Sequence, residues 1–173
     1  RLRDSCTEIR DLAMIDLLSS TGMRVGELVL LNREDTDFNE RECIVLGKGD
    51  KERTIYLNPA CIAAINEYLK VRPHDGVKYH SRDALFLSKR KERISNRMVQ
   101  EIVKRELAKA GLDINKYSVH KLRHTAATLM YQYGKVDIRA LQEVLGHESI
   151  STTEIYTHVA NQQARNAIES NPL

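Results

Sequence analysis

The sequence predicts a mainly α-helical fold carrying a small antiparallel β-hairpin, an α+β domain. Three observations predict it. Apolar residues recur at helical spacing in several separate segments. Most of those segments open on a capping side chain or close at glycine. The clearest β-rich runs are two neighbours joined by a glycine-bearing turn.

The elements follow in order. Ile9, Leu12, Ala13 and Leu17 place a helix over 4–20, interrupted by Thr21-Gly22. A second short helix runs from about Met23 to Leu31, beginning near Arg24. Residues 43–46 and 54–57 are strands, and Gly47 and Gly49 between them favour a tight, basic reversal. Asn58-Pro59 caps and opens a helix to about Lys70, with the stripe Ile62, Ile65, Tyr68 and Leu69. Residues 71–83 form a loop, and 84–87 a short strand or extended piece. Ser95 caps a helix whose core face is Val99, Ile102, Val103, Leu107 and Ala110, stopped by Gly111. Ser118 caps another that ends at Gly134, and Asp137 a third that ends at Gly146. Ser151-Thr152-Thr153-Glu154 is a capping box opening a last helix.

At 173 residues the chain is the size of one domain, and 42% hydrophobic residues suffice for a core. No apolar run reaches the ~18 residues of a membrane span, and the charged N-terminus is not a signal peptide. Cys6, Cys43 and Cys61 are scattered and odd in number, which excludes a disulfide framework and points to a reduced, cytoplasmic location. Arg1 rather than Met at the start predicts a piece of something longer.

The net charge of +3 hides an asymmetry. Residues 1–45 carry −4, residues 46–124 carry +9, and residues 125–173 carry −2. A basic middle favours a polyanion, since each neutralised phosphate releases counterions; a merely solvated basic face is the alternative.

Four places could carry chemistry. His120 and His124 stand four apart, a zinc-ligand spacing, but Lys121 occupies the position where a zinc protease needs glutamate. His120 with Arg123 near a helix start suits an anion better, against the alternative of a surface pair. His147 follows the break at Gly146, and Tyr156 lies one helix further on. Alone, Tyr156 is a packing residue, and the two helices also fit a helix-turn-helix of a DNA-binding regulator. Arg24 sits behind a glycine turn with Glu27 three residues on, where an exposed ion pair is the plain alternative. Lys48 lies between two glycines, where an ordinary turn lysine also fits.

Taken together and in order, the stretches TGMRVGEL, GKGDKERTIYL, HKLRHTAATLM and LGHESISTTEIYTHV resemble the tyrosine recombinases, the phage-type integrases, in their Xer-like or transposon-integrase branch. The matches span 21–159. The family's ordered set of Arg, Lys, His-x-x-Arg, His and Tyr is met by Arg24, Lys48, His120, Arg123, His147 and Tyr156, without a departure. Zinc or helix-turn-helix readings explain neither Arg24 nor Lys48.

The resemblance implies the catalytic-domain fold of that family over 1–173, with about 160–173 as a tail that docks on a neighbouring subunit of a tetramer, or folds back or frays. It implies that an N-terminal core-binding domain is missing from this piece. It implies site-specific cleavage and rejoining of double-stranded DNA with no cofactor, metal or membrane. Arg24 and Arg123 would grip the non-bridging oxygens of the phosphodiester, and His147 would add a donor. Tyr156 would form a 3′-phosphotyrosyl link, with His120 the candidate base and Lys48 the candidate acid for the 5′-oxygen. Glu27 would orient Arg24 or its helix, and His124 would support the site. Lys51, Arg53, Arg90, Arg93 and Arg97 are expected on the phosphate backbone, positioning rather than specifying. Tyr131 and Tyr133 are expected to pack. Relaxation of supercoils in the manner of a type IB topoisomerase is the related alternative.

Overall fold

The computed structural model describes residues 1–134, 137–146, 159 and 161–170. The helix expected over 4–20 is two helices, α1 (Leu2–Ser5) and α2 (Ile9–Thr21), broken because Glu8 adopts extended backbone as the N-cap of α2. Ser5 Oγ donates to the Glu106 carbonyl at 3.0 Å, so α1 turns aside to lie on a distant helix. Then come α3 (Val25–Leu30), β1 (Thr36–Asp37), β2 (Glu42–Leu46), β3 (Glu52–Tyr56), α4 (Pro59–Val71), α5 (Asn96–Lys109), α6 (Val119–Tyr133) and α7 (Ile138–Leu145). Residues 161–169 are helical and exposed.

Four of the predicted caps are present. Asn58, Ser95, Ser118 and Asp137 each accept from the backbone N–H three residues on. Gly22 and Gly146 close α2 and α7 in the left-handed region, at φ +66° and +76°, where a side chain is strained. The hairpin supplies two strands of a three-stranded antiparallel sheet in the order β1-β2-β3. The two-residue β1 is too short to show as a pattern in the sequence. Residues 84–87 make only isolated bridges, Asn32 to Ala84 and Leu87 to Arg93.

Helix α2 is the centre of the core. Ala13, Met14, Ile15, Leu17 and Leu18 are all buried, because α4 and α6 pack on different faces of it. Cys43 and Val45 of β2 and Ile55 of β3 close the sheet side, and Tyr68 stacks on Phe86 at 5.3 Å between centroids. A second, smaller cluster joins Ala127, Leu141, Leu145 and Val159. Buried Arg72 donates to the carbonyls of Pro73, Arg82, Ala84 and Leu85, satisfying a coiled stretch that has no sheet partner of its own. Tyr131 packs against the second cluster, whereas Tyr133, expected to pack, is 74% exposed at the helix end. Burial pushes the Cys43 thiol up to about 12 and those of Cys6 and Cys61 to about 11, which disfavours the thiolate form in all three.

Candidate active site

The TGMR turn is built locally. Thr21 Oγ donates to the Leu17 carbonyl and accepts from the Met23 N–H at 3.2 Å, while Gly22 takes the left-handed conformation that reverses the chain. Arg24 therefore stands at the N-cap of α3. Its backbone N–H donates to Glu27 Oε2 at 2.8 Å and its Nη1 to Glu27 Oε1 at 3.1 Å.

Glu27 is 4% exposed and holds two arginines. Arg53 approaches it with both terminal nitrogens, Nη2 lying 2.9 Å from Oε2 and Nη1 bonding Oε1. Burial pushes the Glu27 carboxyl up, but the hydrogen bonds from Arg53 and the Arg24 backbone, with the charges of both guanidinium groups, hold it below the ordinary carboxylate value.

Arg123 reaches the same place from α6. Its guanidinium donates to the carbonyl of Gly22 and, at 2.7 Å, to that of Leu145. Arg24 Nη2 donates to the Gly146 carbonyl at 3.4 Å, and Arg53 Nε to that of Val144 at 3.2 Å. Three cations thus meet three successive carbonyls at the C-terminus of α7. Those carbonyls lack intrahelical donors and form the negative end of the helix dipole, which is why cations gather there. The packing is close at both glycines. A Cβ on Gly146 would lie 3.0 Å from Arg53 Nη1 and 3.2 Å from Arg24 Nη1, and one on Gly22 3.1 Å from Leu145 Cδ2.

In front of this cluster lies a cleft of about 640 Å³ lined by Arg24, Gly47, Lys48, Lys51, Glu52, Arg53, Glu143 and Gly146. Lys48 and Lys51 are exposed on the hairpin turn, closed by a bond from the Gly47 N–H to the Lys51 carbonyl at 2.8 Å. The structure therefore unites Arg24, Lys48 and Arg123 with the residue that precedes His147. His120 is exposed on the first turn of α6, three residues before Arg123. His124 is exposed as well, so its ring is not packed behind the site. Among the described residues no third His, Cys, Asp or Glu joins these two histidines as a metal site. His147 and Tyr156, with the capping box at 151–154, lie outside the described residues. The chain returns at Val159, buried against Ala127, Leu141 and Leu145.

The cations expected on a phosphate backbone divide. Arg90 is exposed; Arg97 is 88% exposed and pairs with Glu101 at 3.0 Å. Arg93 instead turns inward, donating to the carbonyls of Val29 and Leu31 at 3.0 and 3.1 Å and to Asn32 Oδ1. Arg53 is also drawn in, as above. Strand alternation carries the signal for Arg53: it shares a face with buried Ile55 and pairs in register with buried Val45. Gly146 and Glu143 had no reading as site residues. The positive φ that a helix-ending glycine adopts is the signal for the first, and nothing in the pattern marks the second.

Comparison with known proteins decides the family. The model of the phage integrase family matches residues 1–163. The chain belongs to the phage integrase family. Tyrosine recombinase XerC of Caldanaerobacter subterraneus subsp. tengcongensis is 58% identical over 164 residues, covering 95% of this chain and 45% of that protein. Tyrosine recombinase XerC of Corynebacterium efficiens is 45% identical over 154 residues, covering 89% and 48%. This integrase-family chain therefore spans about half the length of the curated relatives it matches. Among solved structures, XerA recombinase superposes with a TM-score of 0.83 at 31% identity, over 99% of this chain and 63% of that one. XerH site-specific recombinase, bound to a palindromic difH substrate in a post-cleavage complex, gives 0.80 at 30% identity, over 98% and 49%. The helical body with its small antiparallel sheet is thus the fold of the integrase-family recombinases. Among the described residues no helix is long and apolar enough to cross a membrane.

Proposed function

We infer that this chain is the catalytic domain of a site-specific recombinase, which cleaves and rejoins duplex DNA through a phosphotyrosyl link at Tyr156. The observation that carries the reading is the convergence of Arg24 and Arg123 on adjacent carbonyls, beside a cleft that also receives Lys48. XerC relatives and the likeness to XerH in complex with its DNA substrate support it.

The chemistry follows from the charges. When the Tyr156 oxygen bonds to phosphorus, negative charge grows on the two non-bridging oxygens. Two permanently charged, planar guanidinium groups on fixed helices stabilise that charge without reorganising. His147, next to Gly146, adds a third donor. The phenol, with an ordinary pKa of about 10, gives its proton to His120. The bond from phosphorus to the 5′-oxygen breaks, and Lys48 protonates that oxygen from the hairpin turn. The phosphotyrosyl bond keeps the energy of the broken linkage, so a 5′-hydroxyl from another strand can reverse the step without ATP. Lys51, Arg90 and Arg97 lie along the exposed basic surface, suited to backbone phosphates. The exposed helix over 161–169, with Ile168 77% exposed, suits a segment that docks on a neighbouring copy in a DNA-bound tetramer.

The test uses end-labelled nicked duplexes of randomised sequence, since the target site is not specified by the fold. An adduct that survives denaturation is expected, and Tyr156→Phe abolishes it. No adduct at any DNA concentration, or an adduct that persists in Tyr156→Phe, overturns the assignment.

A further inference from the structure

Arg53 is drawn away from solvent more than a backbone contact requires. Its side chain is 14% exposed. Three of its five donors are committed to two other elements: both terminal nitrogens to Glu27 on α3, and Nε to the Val144 carbonyl at 3.2 Å on α7. Glu27 in turn fixes Arg24 through the backbone N–H and Nη1. Gly146 leaves the room in which Arg53 and Arg24 lie side by side.

We propose that Arg53 is a positioning residue for strand cleavage. It sets the Arg24 guanidinium through the carboxylate they share, and it holds the end of α7, with His147 one residue beyond Gly146, in register with α3. This rests on the strand-cleavage reading above. The hairpin supplies both ends of the device: β3 carries Arg53 inward, and the turn before it carries Lys48 outward. The hairpin whose turn carries Lys48 is thereby anchored at Arg53. A lysine cannot replace it, because one ammonium cannot span two carboxylate oxygens and a carbonyl on a separate helix.

The experiment compares the unsubstituted chain with R53K and R53M on the nicked duplex pool. It measures adduct rate at saturating DNA, the slope of log affinity against log salt, and amide exchange over 138–146 in the DNA-free protein. A positioning role predicts an adduct rate lower by about 100-fold in both variants, as expected for displaced reacting groups. It predicts an unchanged salt slope and faster exchange at the α7 terminus. A lost phosphate contact instead lowers the salt slope by about one. That result, with the rate at saturation preserved, overturns the proposal, as does an unchanged rate in R53K. Should R53M fail to fold, R53K carries the rate and exchange measurements, and an unchanged rate in it overturns the proposal. Absence of adduct from the unsubstituted chain overturns the cleavage reading instead. The exchange experiment then still decides the anchor: faster exchange in R53K sustains it and unchanged exchange removes it.

Discussion

Arg24 and Arg123 end on neighbouring carbonyls of one helix terminus, those of Gly146 and Leu145. One guanidinium comes from the N-cap of α3 and the other from the second turn of α6, and α7 supplies the surface on which they meet. Arg24 lines the cleft that Lys48 also lines, and Arg123 is bound one carbonyl away at the same helix terminus.

Arg24→Ala and Arg123→Ala should each slow adduct formation by about 10²–10³, the usual effect of removing one donor to a developing anion. Arg→Lys at either place should recover little, because a point charge does not reproduce the two-pronged geometry. Single-turnover rates at saturating DNA check this. A variant at unsubstituted speed removes that arginine from the mechanism.

Lys48→Ala should be much slower on an ordinary linkage and close to normal on one with a 5′-bridging sulfur. A thiolate leaves without a proton, so only a general acid gives this pattern. Equal slowing on both substrates would show that Lys48 acts by binding.

Glu27→Gln should destabilise the fold by about 3 kcal/mol at pH 7, since two arginines lose their buried partner. The pH dependence has a definite sign. A carboxyl held below its ordinary value of 4.5 stabilises the folded chain above that value, and the contribution is lost as pH falls through the lower folded value. The stability gap between the unsubstituted chain and Glu27→Gln should therefore be constant above about pH 5 and shrink on acidification. Denaturant midpoints from pH 3 to 7 measure it; a gap that widens in acid contradicts the assignment.

Gly146→Ala should cost about 1–2 kcal/mol for left-handed backbone alone and also lower the adduct rate, because its Cβ would displace two guanidinium groups. Gly49→Ala offers the control. It also has positive φ, but its Cβ would meet nothing within 4 Å, so stability should fall while neighbouring arginines stay in place.

Much of the fold was legible because caps and periodicity are local. Asn58, Ser95, Ser118 and Asp137 mark helix starts whose bonds lie within three residues. The break between α1 and α2 was not legible, because it answers to the packing of Ser5 on α5. The site divides in the same way. Arg24, Lys48 and Arg123 follow from ordered motifs, whereas Arg93 looks like part of a basic run and turns inward to the carbonyls of Val29 and Leu31.

By itself the sequence determined four capped helix starts, the hairpin, the basic middle segment and an ordered set of residues belonging to one family. Only the tertiary structure decided that Arg53 braces Glu27 and that three guanidinium groups gather at the end of α7. The physical reason is range. A cap or a turn is satisfied by near neighbours in the chain. Which buried carboxylate and which unpaired carbonyls an arginine finds depends on where separate helices finish in space.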